Sequence, residues 1–302
     1  GNVALDVARI LATDPSRLES TDIADHALEA LRISTIRGVV LRGRRGAAQA
    51  AFTLPELVGL LSRDDIDIVV EGTDLEAPSG DAMTDRKLQA LRAATTRPRR
   101  AGNRRIVFRF ATSPIELLGP GQVTGVRVRR NELVTMDGVV RPVPTDEVET
   151  IATGLVLRSI GYRGVAVAGV PFDELAGVIP NVGGRVTDAA GTYAVGWIKR
   201  GPSGFIGTNK SCAQETVDHL VADFNAGALS APLAPAREIH DLVRARTSRS
   251  IGLSGWRAID RAEQQAGARQ GRPRRKLTRV DSLLAAAESL EPRRRLRDLT
   301  RR

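Results

Sequence analysis

Apolar residues in the first third of the chain alternate between helical and strand spacing. Val3, Ala4, Val7, Ala8 and Leu11 fall on one helical face, which predicts a helix that starts directly after a glycine. Further helices are predicted over residues 23–31 and 53–61, and β-branched runs predict strands over residues 36–41 and 66–70. Helices that alternate with strands in this way indicate an α/β domain with a parallel sheet.

The pattern changes in the middle of the chain. Residues 77–102 are polar and broken by Pro and Gly, which suggests an insertion or exposed loop with a short helix over 87–93. Residues 106–110, 123–129 and 139–143 are predicted to be strands of a small antiparallel addition. Buried strands are predicted over 155–160 and 193–198, followed by a glycine-rich loop over 201–207 and a helix over 210–224.

The last quarter of the chain has a different composition. Ala and Pro after residue 225 indicate a linker, and short amphipathic helices are predicted over 239–244, 256–265 and 280–290. Residues 292–302 are mostly arginine and are expected to be disordered.

Composition limits the chemistry that the chain can carry. The 302 residues include one cysteine, Cys212, so neither an internal disulfide nor a Cys-x-x-Cys pair can form. Three widely spaced histidines match no metal-ligand spacing, and no catalytic side chain is predicted. Redox chemistry would therefore need a bound cofactor. No apolar run approaches the roughly 20 residues that span a bilayer, no signal peptide is visible, and a cytoplasmic location is expected.

The net charge of +10 favours an anionic partner. One interpretation is a basic module whose arginine tail binds nucleic acid, but such tails are more often solvated chain ends, so nucleic-acid binding is the weaker hypothesis. Phosphate-bearing ligands or an acidic protein fit the same charge.

Two short segments have the pattern of a dinucleotide-binding site. Gly1 leads directly into a helix, where backbone N–H groups and the helix dipole can face a pyrophosphate. Arg44 and Arg45 follow the next predicted strand, where arginine suits the 2′-phosphate of NADP. A pair of solvated surface arginines is the alternative.

A third segment, residues 196–209, has four glycines followed by a helix. Glycines of this kind allow backbone to approach a phosphate or a flat ring. Trp197, Phe205 and Ile206 lie in the same segment, and large apolar side chains are not typical of a purely solvated loop.

Taken in order, these motifs resemble the adrenodoxin-reductase-like ferredoxin–NADP reductases, most closely the actinobacterial type. They are Gly-Asn-Val-Ala-Leu-Asp-Val-Ala-Arg-Ile-Leu, Gly-Arg-Arg-Gly-x-x-Gln-Ala-Ala-Phe-Thr, Arg-Ser-Ile-Gly-Tyr-Arg-Gly and Gly-Trp-Ile-Lys-Arg-Gly-Pro-Ser-Gly-x-Ile-Gly-Thr-Asn-Lys. The resemblance implies an α/β flavoprotein reductase with two dinucleotide-binding domains, in which electrons pass from NADPH through FAD to an acidic iron–sulfur protein such as a ferredoxin.

The resemblance also implies roles for individual residues. Gly1, Asn2 and Val3 would lie at the NADP pyrophosphate, with Arg44 and Arg45 at the 2′-phosphate. Glu56 would lie near the nicotinamide, although Thr53 and Glu56 also have the spacing of a capping box. Trp197 would contact the flavin. The residues that would line FAD are Gly204, Phe205 and Ile206, and Gly204 would also lie near the nicotinamide.

The same resemblance predicts an incomplete protein. Residues 1–152 would be an NADP domain without its first strand, 153–226 the second half of an FAD domain, and 227–302 a basic helical extension with a disordered tail. The expectation is an N-terminal truncation, a chain that cannot hold FAD stably, and an active reductase only in its full-length parent.

Two questions stay open from the sequence. Another NADPH-dependent flavoprotein, such as the small subunit of glutamate synthase, shares the plan of two nucleotide-binding domains. A basic docking face for the iron–sulfur partner could be formed by a group of arginines or could be a solvated loop. The candidates are Arg97, Arg99, Arg100, Arg104 and Arg105.

Overall fold

The computed structural model describes residues 1–77, 79–202, 206–247 and 249–289. The chain divides into two compact units, one formed by Gly1–Ser159 with Ile251–Arg302 and the other by Ile160–Ser250. The domain boundaries at 152/153 and 226/227 separate expected cofactor-binding functions, not compact units, and they stay predictions.

The first unit opens with the alternation of helices and strands that the spacing predicts. Its elements are α1 (Asn2–Ala12), a 3₁₀ turn (Pro15–Leu18), α2 (Asp25–Arg32), β1 (Gly38–Arg42), a 3₁₀ turn (Ala47–Gln49), α3 (Leu54–Leu61), β2 (Ile66–Glu71), α4 (Ala82–Thr95) and β3 (Arg104–Arg109). The three strands form a parallel sheet in the order β1-β3-β2. The predicted α/β class is thus confirmed.

The core of this unit lies between the parallel sheet and helices α1, α3 and α4. Leu5, Leu57, Leu91 and Phe108 are almost wholly buried there. Each such side chain contributes roughly 2 kcal/mol by leaving water. The prediction of an exposed insertion over 77–102 is therefore wrong in its middle, because α4 is 14 residues long and buries Leu88, Leu91 and Ala94, whereas residues 96–102 after it are exposed.

An antiparallel sheet follows, formed by β4 (Thr112–Leu118), β5 (Gly125–Met136) and β6 (Val139–Ala152). The sequence predicts this sheet with one strand misplaced. Residues 106–109 belong to β3 in the middle of the parallel sheet, whereas β4 is a strand that the pattern of residues does not predict.

The second unit is built around a short hairpin and a long helix. Its elements are β7 (Asn181–Val182), β8 (Arg185–Val186), α5 (Trp197–Arg200), α6 (Ile206–Asn225) and α7 (Ala236–Arg246). The prediction of a strand over 193–198 is wrong. Trp197 and Ile198 begin helix α5, and within 193–198 the structure has a single isolated β-bridge, between Tyr193 and Arg185. Residues 155–160 form no strand either, and Leu155 and Ile160 are exposed.

The C-terminal extension returns to the first unit as α8 (Leu253–Ala268) and α9 (Val280–Glu288), which pack against each other. The buried Arg272 side chain donates hydrogen bonds to the carbonyls of Thr21 and Ile23 and to the Asp25 carboxylate, 2.7 Å away. The extension is thus fixed to the chain just before α2. The predicted tail over 292–302 lies outside the described residues.

Candidate functional site

Helix α1 points its N-terminus at the carboxyl edge of the parallel sheet. Its last carbonyls lie at the opposite edge, because Arg104, the first residue of β3, donates to the carbonyl of Leu11 at 2.8 Å and to that of Thr13 at 3.3 Å. Gly1 and Asn2 must therefore lie near the residues that follow β1 and β2. A helix N-terminus at this edge is an anion-binding arrangement.

Asn2 ties that N-terminus to the start of α3. Its Oδ1 accepts a hydrogen bond of 2.8 Å from the backbone N–H of Thr53, which is the N-cap of α3. The prediction of a capping box between Thr53 and Glu56 is wrong for this reason. Thr53 is the N-cap, but it makes no side-chain cap bond, and the N–H that Glu56 would have accepted is already bonded to Asn2.

The loop after β1 is held by its backbone. The carbonyl of Arg44 accepts a 2.8 Å bond from Nδ2 of the buried Asn131, and the carbonyl of Arg45 accepts a 3.1 Å bond from the N–H of Ala111. The next turn is closed by Gln49 Oε1, which accepts from the N–H of Gly46. A fixed loop backbone thus carries two arginine side chains.

Both of those side chains face solvent. Arg44 and Arg45 are exposed, and within the described ranges neither guanidinium has a hydrogen bond or an ion pair. They lie at the carboxyl edge that also holds Gly1, Asn2 and the exposed Val3. The structure therefore brings together five of the residues that the sequence predicts at NADP.

A third arginine adds positive potential at the end of β1. None of the three guanidinium nitrogens of Arg42 has a partner among the residues described, and all three are buried. Burial lowers the pKa of Arg42 to about 10, with a further contribution from the neighbouring Arg109. Arg42 therefore stays charged at neutral pH. The opposite charges nearby, Glu71 and Glu149, both pair with Arg109.

Glu56 lies on the first turn of α3, three residues after the Thr53 N-cap, and its side chain is exposed. It shares the carboxyl edge with Asn2 through the bond between Asn2 and Thr53. The donors and cations at this edge fit a phosphorylated dinucleotide, because two free guanidinium groups match a phosphate dianion and a helix N-terminus matches a pyrophosphate.

The second unit presents Trp197 on a short, tightly held helix. The carbonyl of Ile198 accepts from the N–H of Ile179 at 2.8 Å, and the carbonyl of Lys199 accepts from Asn181 Nδ2 at 2.9 Å. The buried Lys199 ammonium donates to Glu215 at 2.7 Å and to Thr216 at 3.0 Å. The helix that carries Trp197 is thus fixed on three sides.

Trp197 stacks on a residue to which the sequence assigns no role. The rings of Tyr162 and Trp197 have centroids 5.5 Å apart and planes inclined by 26°. The sequence points to Tyr162 only as one member of the motif Arg-Ser-Ile-Gly-Tyr-Arg-Gly. Partly exposed aromatic and backbone surface of this kind fits a planar ring such as a flavin. Gly204 and Phe205 lie outside the described residues, and Ile206 is known only as the first residue of α6.

The predicted docking arginines are mostly used inside the first unit. Arg97 donates to the carbonyl of Leu61, Arg100 pairs with Asp64 at 3.6 Å, and Arg104 satisfies the end of α1. Arg99 and Arg105 are exposed, and no hydrogen bond or ion pair of their side chains is present in the described part of the chain. Of the five predicted docking arginines, Arg99 and Arg105 are therefore the two whose side chains are left to contact an iron–sulfur protein, as far as the described residues show.

The cysteine and the best-placed histidine make contacts within the fold. Cys212 is buried in α6, and Nδ1 of His219 lies 2.7 Å from the carbonyl of Gly183. Among the described residues there is no cluster of potential metal ligands. In the same residues, no helix combines the length and apolar character that would cross a membrane.

Curated proteins of known name resemble nearly the whole chain. A probable ferredoxin/ferredoxin–NADP reductase of Mycobacterium tuberculosis is 47% identical over 321 residues, which cover 99% of this chain and 53% of that protein. NADPH-ferredoxin reductase FprA of the same organism is 47% identical over 94% of this chain and 65% of its own length. A mitochondrial NADPH:adrenodoxin oxidoreductase of Arabidopsis thaliana is 38% identical over 95% of this chain and 65% of its own length.

Solved structures give the same picture. A structure of Mycobacterium tuberculosis FprA with a covalently modified NADP⁺ has a TM-score of 0.87 at 46% identity and covers 95% of this chain and 66% of its own. A complex of FprA with NADPH has a TM-score of 0.86 at 45% identity. No family model matches the chain. The chain spans between about half and two thirds of the length of these relatives.

Proposed function

Because the chain belongs to the family of adrenodoxin-reductase-like ferredoxin–NADP reductases, we propose that the whole protein is an NADPH-dependent FAD oxidoreductase that passes electrons to a ferredoxin. The bound flavin would accept a hydride from NADPH and release single electrons, which no side chain can do. The contribution of this chain is to bind, orient and discriminate.

One observation supports this function above the others. Two exposed arginines, with no partner in the described structure, stand on a fixed loop backbone at the sheet edge that also holds the N-terminus of α1. In the proposal Arg44 and Arg45 bind the 2′-phosphate, and Gly1, Asn2 and Val3 lie along the pyrophosphate. Because the backbone of the loop is already ordered, little backbone conformational entropy is lost when the cofactor binds.

Glu56 and the Trp197 loop would take the reacting ends of the cofactors. Glu56 is proposed near the nicotinamide, where a carboxylate can accept a hydrogen bond from the carboxamide. Trp197 is proposed to contact FAD, with Gly204, Phe205 and Ile206 lining the same cofactor and Gly204 also near the nicotinamide. The rigid hold on α5 supports a positioning role for Trp197.

The proposed electron acceptor is an acidic iron–sulfur protein, and the proposed location is the cytoplasm. Arg99 and Arg105 are the docking candidates that no internal contact occupies within the described residues. Exposed charges at a docking surface mainly raise the rate of association.

The test compares two acceptors with the flavin-loaded whole protein. NADPH should drive the reduction of both ferredoxin and a small dye. The double variant Arg99→Glu/Arg105→Glu should raise the KM for ferredoxin by about tenfold and leave dye reduction unchanged. Arg86→Glu, an exposed arginine on α4, is the matched control and should change neither.

Three other results would contradict a part of this proposal. Dye reduction without ferredoxin reduction would indicate another NADPH-dependent flavoprotein, such as one of the glutamate synthase small-subunit type. Equal loss of both activities in the double variant would remove the docking surface. Salt-sensitive binding of nucleic acid that is lost when residues 292–302 are deleted would favour the basic-module hypothesis.

A further inference from the structure

The aromatic pair formed by Tyr162 and Trp197 is exposed, which is unusual for two stacked rings. Tyr162 is 59% exposed and Trp197 is 43% exposed. Stacked aromatic rings normally bury their faces in a core or an interface. The pair therefore presents apolar ring surface that the surrounding described residues do not cover, beside a glycine-rich loop.

The chain directly after Tyr162 is fixed to the same segment that fixes Trp197. The N–H of Gly164 donates to the carbonyl of Gly177 at 3.0 Å, and Arg163 donates to the carbonyl of Leu175 at 3.3 Å. Two residues after Gly177, the N–H of Ile179 bonds the carbonyl of Ile198, next to Trp197. The relative position of the two rings is thus set by two main-chain bonds and one bond from the Arg163 guanidinium, all to residues 175–179.

Gly164 is the position that makes this approach close enough. A Cβ placed there would lie 2.5 Å from the carbonyl oxygen of Gly177 and 2.5 Å from Cδ1 of Ile198. Both distances are far below a van der Waals contact. The chain at Tyr162 can therefore reach α5 only because residue 164 has no side chain.

We propose that Tyr162 is a positioning residue for the flavin site, which fixes the plane of the Trp197 indole so that its uncovered surface can receive a flat cofactor ring. The proposal rests on the proposed function, in which Trp197 contacts FAD. The ring of Tyr162, not its hydroxyl, carries the effect, since the contact is a stack and Tyr162 makes no hydrogen bond through its side chain in the described part of the chain.

The chain is well suited to a spectroscopic test. Its 302 residues include two tryptophans, and Trp256→Phe removes the other one, an exposed residue of α8. Subtracting the spectrum of Trp197→Leu in the same background isolates the signal of Trp197 from that of any tryptophan elsewhere in the whole protein. Three variants are then made in this background. Tyr162→Phe keeps the ring, Tyr162→Leu removes it, and Leu175→Ala changes a side chain that is 92% exposed in the same segment and serves as control.

The first measurement uses the flavin-free whole protein. The indole bands of the near-ultraviolet circular dichroism and the emission of Trp197 should be the same in the parent background, in Tyr162→Phe and in Leu175→Ala. Tyr162→Leu should lose the dichroic band of the stacked pair. An unchanged band in Tyr162→Leu, with the protein folded by its far-ultraviolet spectrum, would overturn the proposal.

The second measurement is an FAD titration followed by quenching of Trp197 emission. Tyr162→Leu should bind FAD about three- to tenfold more weakly, as expected for loss of one stacked pair, and Tyr162→Phe should restore the parent affinity. Wild-type-like affinity in Tyr162→Leu, together with weak binding in Trp197→Leu measured by flavin absorbance, would overturn the role of Tyr162 alone. Undiminished binding in both would also overturn the proposed contact of Trp197 with FAD.

Discussion

Asn2 has one observed task and one proposed task, which a single substitution can separate. Its amide oxygen satisfies the backbone N–H of Thr53, and at the first turn of α1 it is proposed to lie along the pyrophosphate. The first task needs only an acceptor. The second is sensitive to charge, because a carboxylate at this position would repel a phosphate.

The substitutions Asn2→Ala and Asn2→Asp should therefore behave differently. Asn2→Ala leaves the N–H of Thr53 without its partner and should lower the free energy of unfolding by about 1–2 kcal/mol. Asn2→Asp keeps an acceptor and should stay close to the parent in thermal unfolding, but should weaken NADPH binding by about tenfold. Equal stability of all three proteins would show that the bond to Thr53 contributes nothing.

Arg44 and Arg45 are expected to set the preference for NADPH over NADH. Replacing both by Ala removes charge-assisted bonds to the 2′-phosphate, and each such bond contributes about 1.5–3 kcal/mol. The KM for NADPH should rise by at least about tenfold and the KM for NADH should change little. Arg99→Ala, at the other edge of the same sheet, is the control. A parallel rise in both KM values would contradict the role in phosphate binding.

The sequence predicts the two arginines but not the residues that hold them. A strand followed by Gly-Arg-Arg-Gly is a local pattern with a known chemical meaning. Asn131, in contrast, lies 87 residues from the carbonyl of Arg44 that it contacts. Such a contact depends on how the antiparallel sheet meets the loop, which no local pattern encodes. Only the oddity of an asparagine within a strand could have pointed to it.

At the scale of elements, one carboxylate of helix α6 makes several of the contacts that attach this helix to the β7–β8 hairpin. Asp223 accepts from Arg185 Nε at 2.7 Å and Nη2 at 2.8 Å, and from the Tyr193 hydroxyl at 2.5 Å. Arg185 and then Tyr193 lower the pKa of Asp223 to about 2, from an ordinary value of 3.8.

A lowered carboxyl pKa gives stability that is lost in acid. The contribution of Asp223 is complete above its ordinary pKa of 3.8 and disappears as the pH falls towards about 2. The midpoint of thermal unfolding of Asp223→Asn should therefore be below that of the parent at neutral pH. This difference in midpoint should shrink as the pH falls from 3.8 to about 2. Asp218→Asn, exposed on the same helix, should show no such convergence. A constant difference down to the lower pH would contradict the assignment.

The C-terminal extension depends on Arg272. Arg272→Met removes its bonds to Thr21, Ile23 and Asp25, so that two carbonyls lose their donor while the Asp25 carboxylate keeps its bond from Arg275. The free energy of unfolding should fall by about 2 kcal/mol, and α8 and α9 should exchange amide hydrogen faster. Arg269→Met, exposed at the end of α8, should have no effect on either measurement. Unchanged exchange in Arg272→Met would show that the helices are held by other contacts.

Helices were easier to predict than strands in this chain, for physical reasons. α1, α3 and α6 have apolar residues at regular spacing, which is a local property. β4 contains Pro114 and a register shift after it, so its sequence does not have the alternation of a regular strand. Residues 155–160 have the composition of a buried strand, but a strand also needs a neighbour, and the described residues supply none.

At the scale of the whole molecule, several of the cations behind the net charge of +10 are paired with carboxylates. In the extension, Arg274 pairs with Asp260 and Glu263, Arg275 with Asp25, and Lys276 with Asp22. The guanidinium and ammonium groups in these pairs already have a carboxylate partner. The free cations in the described part of the first unit include Arg44 and Arg45 at one sheet edge and Arg99 and Arg105 near the other.

The family, and with it the two cofactors, follows from motifs that are local in sequence. The division into compact units does not, because residues after 250 return to the first unit through contacts such as that of Arg272 with Asp25. Packing over more than two hundred residues of sequence separation cannot be derived from periodicity.

The most direct test is an anaerobic titration of the flavin-loaded whole protein with NADPH and, separately, with NADH, followed by the visible absorbance of the flavin. We expect NADPH to bleach the flavin nearly stoichiometrically, and NADH to require at least about tenfold higher concentration. In Arg44→Ala/Arg45→Ala this difference should disappear. A flavin that NADPH does not reduce, or a preference for NADPH that survives the loss of both arginines, would contradict the account.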